Sequence, residues 1–495
     1  MKKASVILLV LGAALAAGAQ TNLQTQSMSL DDCVRQALEH NFDVRIERYN
    51  PQISRYDLSA AYGGYDPTFS ISGQHDYSES GGNVSASIPG TKSDDNSFSS
   101  SVGGLLPFGT TYNLFGNISE TYGNARSNSF DGTGGRVGIN LTQPLLKNFW
   151  IDGTRLNIRV AKNRLKYSEQ GLRLRMIDVV TLVEQAYYDL IAARENVKVQ
   201  QSALELAERL LAENKKRVEV GSMAPLDQKQ AESQLASSRA DLISAQRAVT
   251  AQENVLKSLL SEDYRKIHDI DIEPAEGLTA PVMIFNLQDS WSKGMTQRSD
   301  LQQAKLDLER QGIQLKYDRN QLFPELDLFG TYGHGANSAD VVEFSDGFNQ
   351  FRTGDRPFYT YGAQLSIPLS NIGPRNRYKA TKLSAAQAVL VFKKLEQGVL
   401  IQIDDGIKQA QSNYERVDAT RAAREYAEAA LDAEQKKLAS GKSTSFFVLQ
   451  LQKDLTAARS AEIAALADYN KSLAALAQVE GTTLDRRGIN VRVEK

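Results

Sequence analysis

The sequence predicts a mixed α+β membrane protein with an internal two-fold repeat: a transmembrane β-barrel shared by three chains, continuous with a long periplasmic α-helical coiled-coil tunnel. Three observations predict it. Leu30, Asp43 and Pro67 recur at Leu287, Asp300 and Pro324, each pair about 257 positions apart, the mark of a long-period repeat. No proline lies between Pro144 and Pro225 or after Pro374, so two very long helices can form unbroken. Short segments between these stretches alternate apolar and polar residues with the period of two that belongs to strands.

Lys2 and Lys3 precede an apolar run from Val6 to Leu15 and the small residues Ala17, Gly18 and Ala19. Residues 1–19 therefore read as a secretory signal cleaved before Gln20. The run is too short for a comfortable membrane anchor. The first repeat, 20–282, opens on a helix, places barrel strands within 66–145 and continues as a helical hairpin over 156–260. In its strands Phe69 and Ile71 alternate with Ser70 and Ser72, and Val137, Ile139 and Leu141 with Gly138, Asn140 and Thr142. Between them Ser97 to Leu106 and Thr111 to Tyr122 flank Pro107-Phe108-Gly109 and predict an additional hairpin. Leu165, Leu172, Met176, Val179, Val183, Ala186, Leu190 and others as far as Val218 keep helical spacing. A helix from Leu156 to Val220 would run roughly 100 Å, at about 1.5 Å per residue. Gly221 supplies a left-handed stop, and Pro225 starts the return helix.

Glu273 to Val282, with two prolines, is the seam between the copies. The second repeat, 283–495, places strands within 324–369 and a helical hairpin over 376–480 with its tip at Gly441. Here Leu326 and Leu328 alternate with Asp327 and Phe329, and Tyr359, Tyr361, Leu365 and Ile367 with Thr360, Gly362, Gln364 and Ser366. No added hairpin is expected in this copy, only a polar loop from Gly335 to Arg356. Ser78 to Asp95 and Gly123 to Gly134 also read as loops at the outer end of the barrel. Tyr77, Tyr122, Tyr332, Tyr359 and Tyr361 suit interfacial girdles.

One chain offers four strands at the least, six if the added hairpin joins the wall. Neither number closes a water-filled barrel, so other copies must pair the edges. A ring of three gives twelve or eighteen strands and arrays the long helices into a tube.

Composition excludes several classes. Losing Lys2 and Lys3 with the signal moves the net charge from −2 to near −4, and no basic block suits nucleic acid. The single cysteine, Cys33, follows Asp31-Asp32, which fits neither a disulfide nor a lipoprotein site and reads as a small apolar face residue. His40, His75, His268 and His334 fall on a helix, a strand, the seam and a loop, without metal-ligand spacing. No catalytic constellation and no phosphate cradle is found, so neither enzyme activity nor a cofactor is expected.

These residues resemble the outer-membrane efflux proteins of the TolC type, the exit ducts of tripartite drug pumps and type I secretion systems. The resemblance rests on the opening helix Leu30-Asp31-Asp32-Cys33-Val34-Arg35-Gln36-Ala37-Leu38 with Asn41 and Asp43, on Gln143-Pro144-Leu145, and on Arg217 through Ser222 followed by Asp227. It implies a homotrimer that meets outer-membrane lipid, a periplasmic adaptor and, through it, a proton-driven or ATP-driven inner-membrane pump. It also implies adaptor contact at Val220, Gly221 and Ser222 and at Ser440, Gly441 and Lys442. Where the family carries gating carboxylates, six and nine positions after the second tip glycine, this chain has Phe447 and Gln450. Asp227 resembles a residue that ties closed helices, although the helix dipole alone also favours an acid there. Phe446 and Phe447 suggest a constriction that gates by excluding water. The competing class is an exported coiled-coil stalk with a structural or adhesive role, which would show uninterrupted heptads and no alternating strands.

Overall fold

A computed structural model describes residues 24–82, 90–125, 128–336, 344–354 and 356–489; the predicted signal lies outside them. In chain order the elements are β1 (Gln24–Met28), α1 (Leu30–His40), α2 (Phe42–Tyr62), β2 (Thr68–Ser80), β3 (Thr91–Leu105), β4 (Thr111–Ala125), β5 (Asn128–Pro144), α3 (Gly153–Glu219), α4 (Pro225–Leu260), α5 (Tyr264–Ile267), β6 (Ile270–Pro274), α6 (Leu287–Gln297), α7 (Ser299–Asn320), β7 (Glu325–Ala336), α8 (Phe344–Thr353), β8 (Pro357–Ser366), α9 (Ile372–Ala439), α10 (Ser445–Glu480) and α11 (Thr483–Arg486). The chain divides into two units, one of residues 1–49, 171–301 and 396–495 and the other of 50–170 and 302–395.

The first unit is mainly helical. Its α1 starts at Ser29, whose hydroxyl accepts from the Asp32 amide, a standard way to satisfy a free helix-start donor. Leu30, Cys33, Val34, Ala37 and Leu38 form its buried face. They share a core with Val179, Val180, Val183, Tyr187, Leu190 and Ile191 of α3, and with Leu256, Leu260, Ile272 and Leu484. Cys33 is part of this core, as expected, and burial pushes its thiol up to about 12. β1 and β6 form a parallel two-stranded sheet that the sequence reading missed, with Gln24 opposite Ile270 and Met28 opposite Pro274. The Tyr187 hydroxyl donates to the Met28 carbonyl at 3.0 Å. Beneath β6 lies a buried ion pair: Glu253 accepts from the Ile272 amide and from Lys257, and Lys257 donates to the His268 carbonyl. In α9 the buried positions Val399, Ile403, Ile407, Ala410, Asn413, Val417, Leu431 and Leu438 make a stripe one side chain wide, as a helix seated between neighbouring helices needs.

The second unit is built on one antiparallel sheet in the order β2-β3-β4-β5-β7-β8. At the level of Phe69 its register separates apolar from polar side chains. Phe69, Val102, Leu114, Ile139, Tyr332 and Tyr359 stand opposite one another across all six strands. The adjacent row on the other face is Thr68, Gly103, Asn113, Asn140, Thr331 and Thr360. Ser70 bonds Ser101 and Ser72 bonds Ser99, each at 2.7 Å, on that polar face. At the helical end Asn320 accepts from the Asn148 amide and donates to the Leu146 carbonyl, and Lys147 pairs with Glu325.

Three expectations need correction. The described residues of 78–95 and 123–134 are largely strand, since β2 runs to Ser80, β3 starts at Thr91, β4 reaches Ala125 and β5 starts at Asn128; residues 83–89 and 126–127 lie outside the described residues. Their polarity comes from Ser, Thr, Asn and Asp paired across the ladder, as where Thr121 bonds Asp95. The span 335–356 holds α8, whose Gly347 seats against Ile118; 337–343 and 355 lie outside the described residues. Phe348 and Phe351, at helical spacing and in edge-to-face contact, explain a helix where polar composition suggested a loop. His334 accordingly sits on strand β7.

Candidate functional site: the helical tips

Two hairpin ends lie in the helical unit, α3 to α4 and α9 to α10, and they are built alike. In the first, the Val220 amide bonds the Lys216 carbonyl, Gly221 bonds Val218, and Ser222 bonds Arg217 at 2.8 Å. In the second, Ser440 bonds Lys436, Gly441 bonds Leu438, and Lys442 bonds Lys437 at 2.9 Å. Gly221 and Gly441 have φ of 69° and 72°. This is the left-handed helix stop that glycine adopts without a Cβ penalty, and it satisfies the last carbonyls of each long helix. A Cβ at either glycine would meet nothing, so backbone conformation alone selects glycine there. Val220, Gly221, Ser222, Ser440, Gly441 and Lys442 are all exposed. Around the second tip Ser443 bonds Glu434; that hydroxyl first, and the Lys437 ammonium next, hold the Glu434 carboxyl below its usual range.

The two tips are joined within one chain. Leu210, Leu431, Leu438, Val448, Leu449 and Leu455 form a shared apolar cluster. Above it two polar ties cross between hairpins. The Arg217 guanidinium donates to the Leu438 carbonyl at 3.4 Å, and the hydroxyl of Ser445 donates to Asp227 Oδ1 at 2.8 Å. Ser445, the first residue of α10, is fully buried. Sequence reasoning singled out Asp227 but not its partner. The signal was present, because Ser445 lies as far past Gly441 as Pro225 lies past Gly221, and both start the return helix.

The remaining gate candidates lie together on the other side of α10. Val448, Leu449, Gln452 and Leu455 face inward, while Phe446 and Phe447 are 54% and 55% exposed, their rings edge-to-face at 5.7 Å. Gln450, one turn on from Phe447, donates to Asp454 at 3.0 Å. Asp454 is a second residue the sequence reading missed, a carboxylate one further turn along the same exposed face.

Among the described residues no group of three or more His, Cys, Asp or Glu is placed to hold a metal ion, and no helix is long and apolar enough to cross a membrane. Ten residue steps of β7, from Leu326 to Ala336, rise roughly 26 Å at about 3.4 Å per step and a tilt of about 40°, against about 25 Å for the apolar band of an outer-membrane barrel. Tyr77 and Tyr122 share one row across the apolar face; Tyr332 and Tyr359 share another, eight steps away along β2 at the level of Phe69, with Tyr361 one row beyond.

A sheet with one greasy face, together with long helical hairpins ending in matched glycine tips, defines the class as an outer-membrane channel protein. The chain belongs to the outer membrane efflux protein family, whose profile matches residues 33–262 and 292–482. It is 27% identical over 241 residues to the outer membrane protein TolC of Vibrio cholerae, covering 47% of this chain and 52% of that protein. It is 24% identical over 317 residues to the pyoverdine export outer membrane protein OpmQ of Pseudomonas aeruginosa, covering 64% of each. The matches thus span about half and just under two thirds of these relatives. The solved CmeC outer membrane channel of Campylobacter jejuni shares the fold, with a TM-score of 0.66, 16% identity and coverage of 92% of this chain and 86% of that one. Membership places the protein in the outer membrane, with its helical part in the periplasm.

Proposed function

We propose that this protein is the exit duct of an export system, conducting cargo passively from a periplasmic adaptor and inner-membrane pump to the outside. The observation that carries the reading is the division of one six-stranded sheet into an apolar row and a polar row across every strand. Lipid against one face and water against the other is the condition under which such a division is stable. A single sheet has free edges, which hydrocarbon does not tolerate. Three copies therefore close the sheet into a barrel, and their long hairpins form the tunnel. The duplicated plan is supported by element bounds: α6, α7 and β7 begin 257 positions after α1, α2 and β2.

The tips are the adaptor-contact sites, at Val220, Gly221 and Ser222 and at Ser440, Gly441 and Lys442. Contact there is made by backbone and small side chains. Asp227 and Ser445 hold the two hairpins of each copy together in the closed state, and Phe446 and Phe447 narrow the bore. No charged ring is needed at Phe447 and Gln450 if the constriction works by excluding water. Whether cargo is drug, metal ion, peptide or protein is fixed by the pump rather than by the duct. An adhesive stalk without a path through it has no use for a sheet with a wet inner face.

The test is to purify the protein in detergent, measure its oligomeric mass and record conductance in planar bilayers. A trimer with discrete pores supports the reading; a detergent-independent monomer without pores ends it. Deleting the gene and screening toxic compounds would identify the cargo class.

A further inference from the structure

We infer that all six strands of each copy enter the wall, so that the assembly is an eighteen-stranded barrel rather than a twelve-stranded one. This rests on the trimeric barrel proposed above and adds its strand count, with the β3–β4 hairpin as the widening insert.

The insert can be located in the sequence. Pro67 and Pro324 are 257 positions apart, but Pro144 and Pro368 only 224, so the first copy holds 33 more residues between its two prolines. That surplus matches one strand hairpin, and β3 with β4 is what the first copy has there and the second lacks. The hairpin is not a flap hung on the outside. It separates β2 from β5 inside the sheet, with paired residues along the whole of β2–β3 from Thr68 to Ser80 and of β4–β5 from Thr111 to Ala125. Expelling it from the wall would break both ladders.

Its side chains are also those of a wall. Val102 of β3 and Tyr112 and Leu114 of β4 fall on the greasy face, and Ser99, Ser101, Asn113 and Asn117 on the polar one, with Phe115 the exception on that face. An element outside the barrel would have no reason to keep the alternation in phase with its neighbours. Direction agrees as well. Five successive antiparallel pairings leave the edge strands β2 and β8 running in opposite senses, so β8 of one copy meets β2 of the next antiparallel. β2 is exposed along its length and β8 at every position but Phe358 and Gly362. Ser70 and Ser72 can face Thr360, Gln364 and Ser366 without turning either strand over.

The consequence is a wider mouth. With strands about 4.8 Å apart and tilted about 40°, eighteen strands close at a backbone diameter of roughly 36 Å and twelve at roughly 24 Å. The bore area about doubles, which moves the size limit away from the barrel and suits cargo too bulky for the narrower wall.

The experiment is an image reconstruction of the intact wild-type assembly in lipid nanodiscs, with its mass measured in parallel. It is paired with disulfide trapping in outer membranes. Ser72→Cys with Ser99→Cys is expected to cross-link within a chain, and Ser72→Cys with Thr360→Cys, Gln364→Cys or Ser366→Cys to link copies into a trimer ladder. Eighteen wall strands and these links support the inference. A trimer with twelve wall strands, in which Ser72→Cys links to Asn140→Cys of β5 instead, overturns it and leaves the exit-duct reading intact. An assembly that is not a trimer, or encloses no barrel, overturns both.

Discussion

The bond between Ser445 and Asp227 offers the sharpest test of how the tips close. Ser445→Ala removes a buried donor at 2.8 Å from a carboxylate. Hydrogen bonds to charged groups contribute about 1.5–3 kcal/mol, and Asp227 is only half-buried, so the low end of about 1.5 applies. If the three copies open together, the loss is about 4.5 kcal/mol, and at about 1.4 kcal/mol per decade the closed-to-open ratio falls roughly a thousandfold. Asp227→Ala removes the same bond and also an acid from the first turn of α4, a dipole contribution of about 0.5 kcal/mol per copy. A double-mutant cycle separates the two roles. The bond appears as a coupling of about 1.5 kcal/mol per copy and the dipole as the residue left to Asp227 alone. The assay is open probability of the purified trimer in planar bilayers, with sensitivity of cells to a large antibiotic as the readout in vivo. If Ser445→Ala leaves open probability within about threefold of wild type, with the trimer intact, Asp227 is a helix-start acid and not a tie.

Other expectations concern separate parts of the molecule. Replacing Phe446 and Phe447 together by Ser should raise single-channel conductance; unchanged conductance removes them from the constriction. Gly441→Ala forces a Cβ into the left-handed region at φ 72°, which should cost about 1 kcal/mol per copy and reduce adaptor cross-linking at the tip; an unchanged melting midpoint and cross-link yield would refute this. For Asp468, burial works to raise the carboxyl, but the bonds from Arg416 and Lys471 and their charges outweigh it and hold it below its ordinary 3.8. A depressed carboxylate stabilises the fold above its unfolded value and loses that contribution as pH falls through the folded one. The thermal midpoint of wild type should therefore drop more between pH 5 and pH 3 than that of Asp468→Asn, and parallel curves would exclude the group.

What the sequence disclosed depended on whether a residue's role is written in its neighbours along the chain. The long helices, both glycine tips, the added hairpin and the alternating strands were legible because period, punctuation and repeat offset are local signals. The parallel pair of β1 and β6 was not. Gln24–Met28 and Ile270–Pro274 are each five residues long and find each other only in the folded state, with Tyr187 and Arg194 of α3 holding them from the side. The position of Ser445 is marked by its offset from Gly441, but its pairing with Asp227 is not. A serine at the start of a helix reads as a cap, and only the packing of Leu210 against Leu438 and Val448 brings Asp227 to its hydroxyl. The strand residues 91–95, 123–125 and 128–134 read as loops because their composition outweighs their phase. Serine and asparagine there belong to a ladder whose polar face needs them.

The free edges also constrain how the protein reaches its membrane. β2 and β8 are thirteen and ten residues long, and in each about half the backbone amides and carbonyls point away from the sheet. Roughly ten outward-facing donor and acceptor pairs would lie unmatched if one copy entered hydrocarbon alone, and each unmatched group there costs several kcal/mol. The sum is tens of kcal/mol, far beyond the about 5–15 kcal/mol that holds an ordinary fold together. A lone inserted copy is therefore not a populated species. If the sheet closes as proposed, edge pairing between copies, barrel closure and insertion form a single coupled event, with separate copies confined to the aqueous side until their edges meet. A substitution that blocks one edge, such as Thr360→Pro in β8, should then abolish membrane integration rather than yield inserted monomers, and recovery of that variant as an integral monomer would refute the coupling.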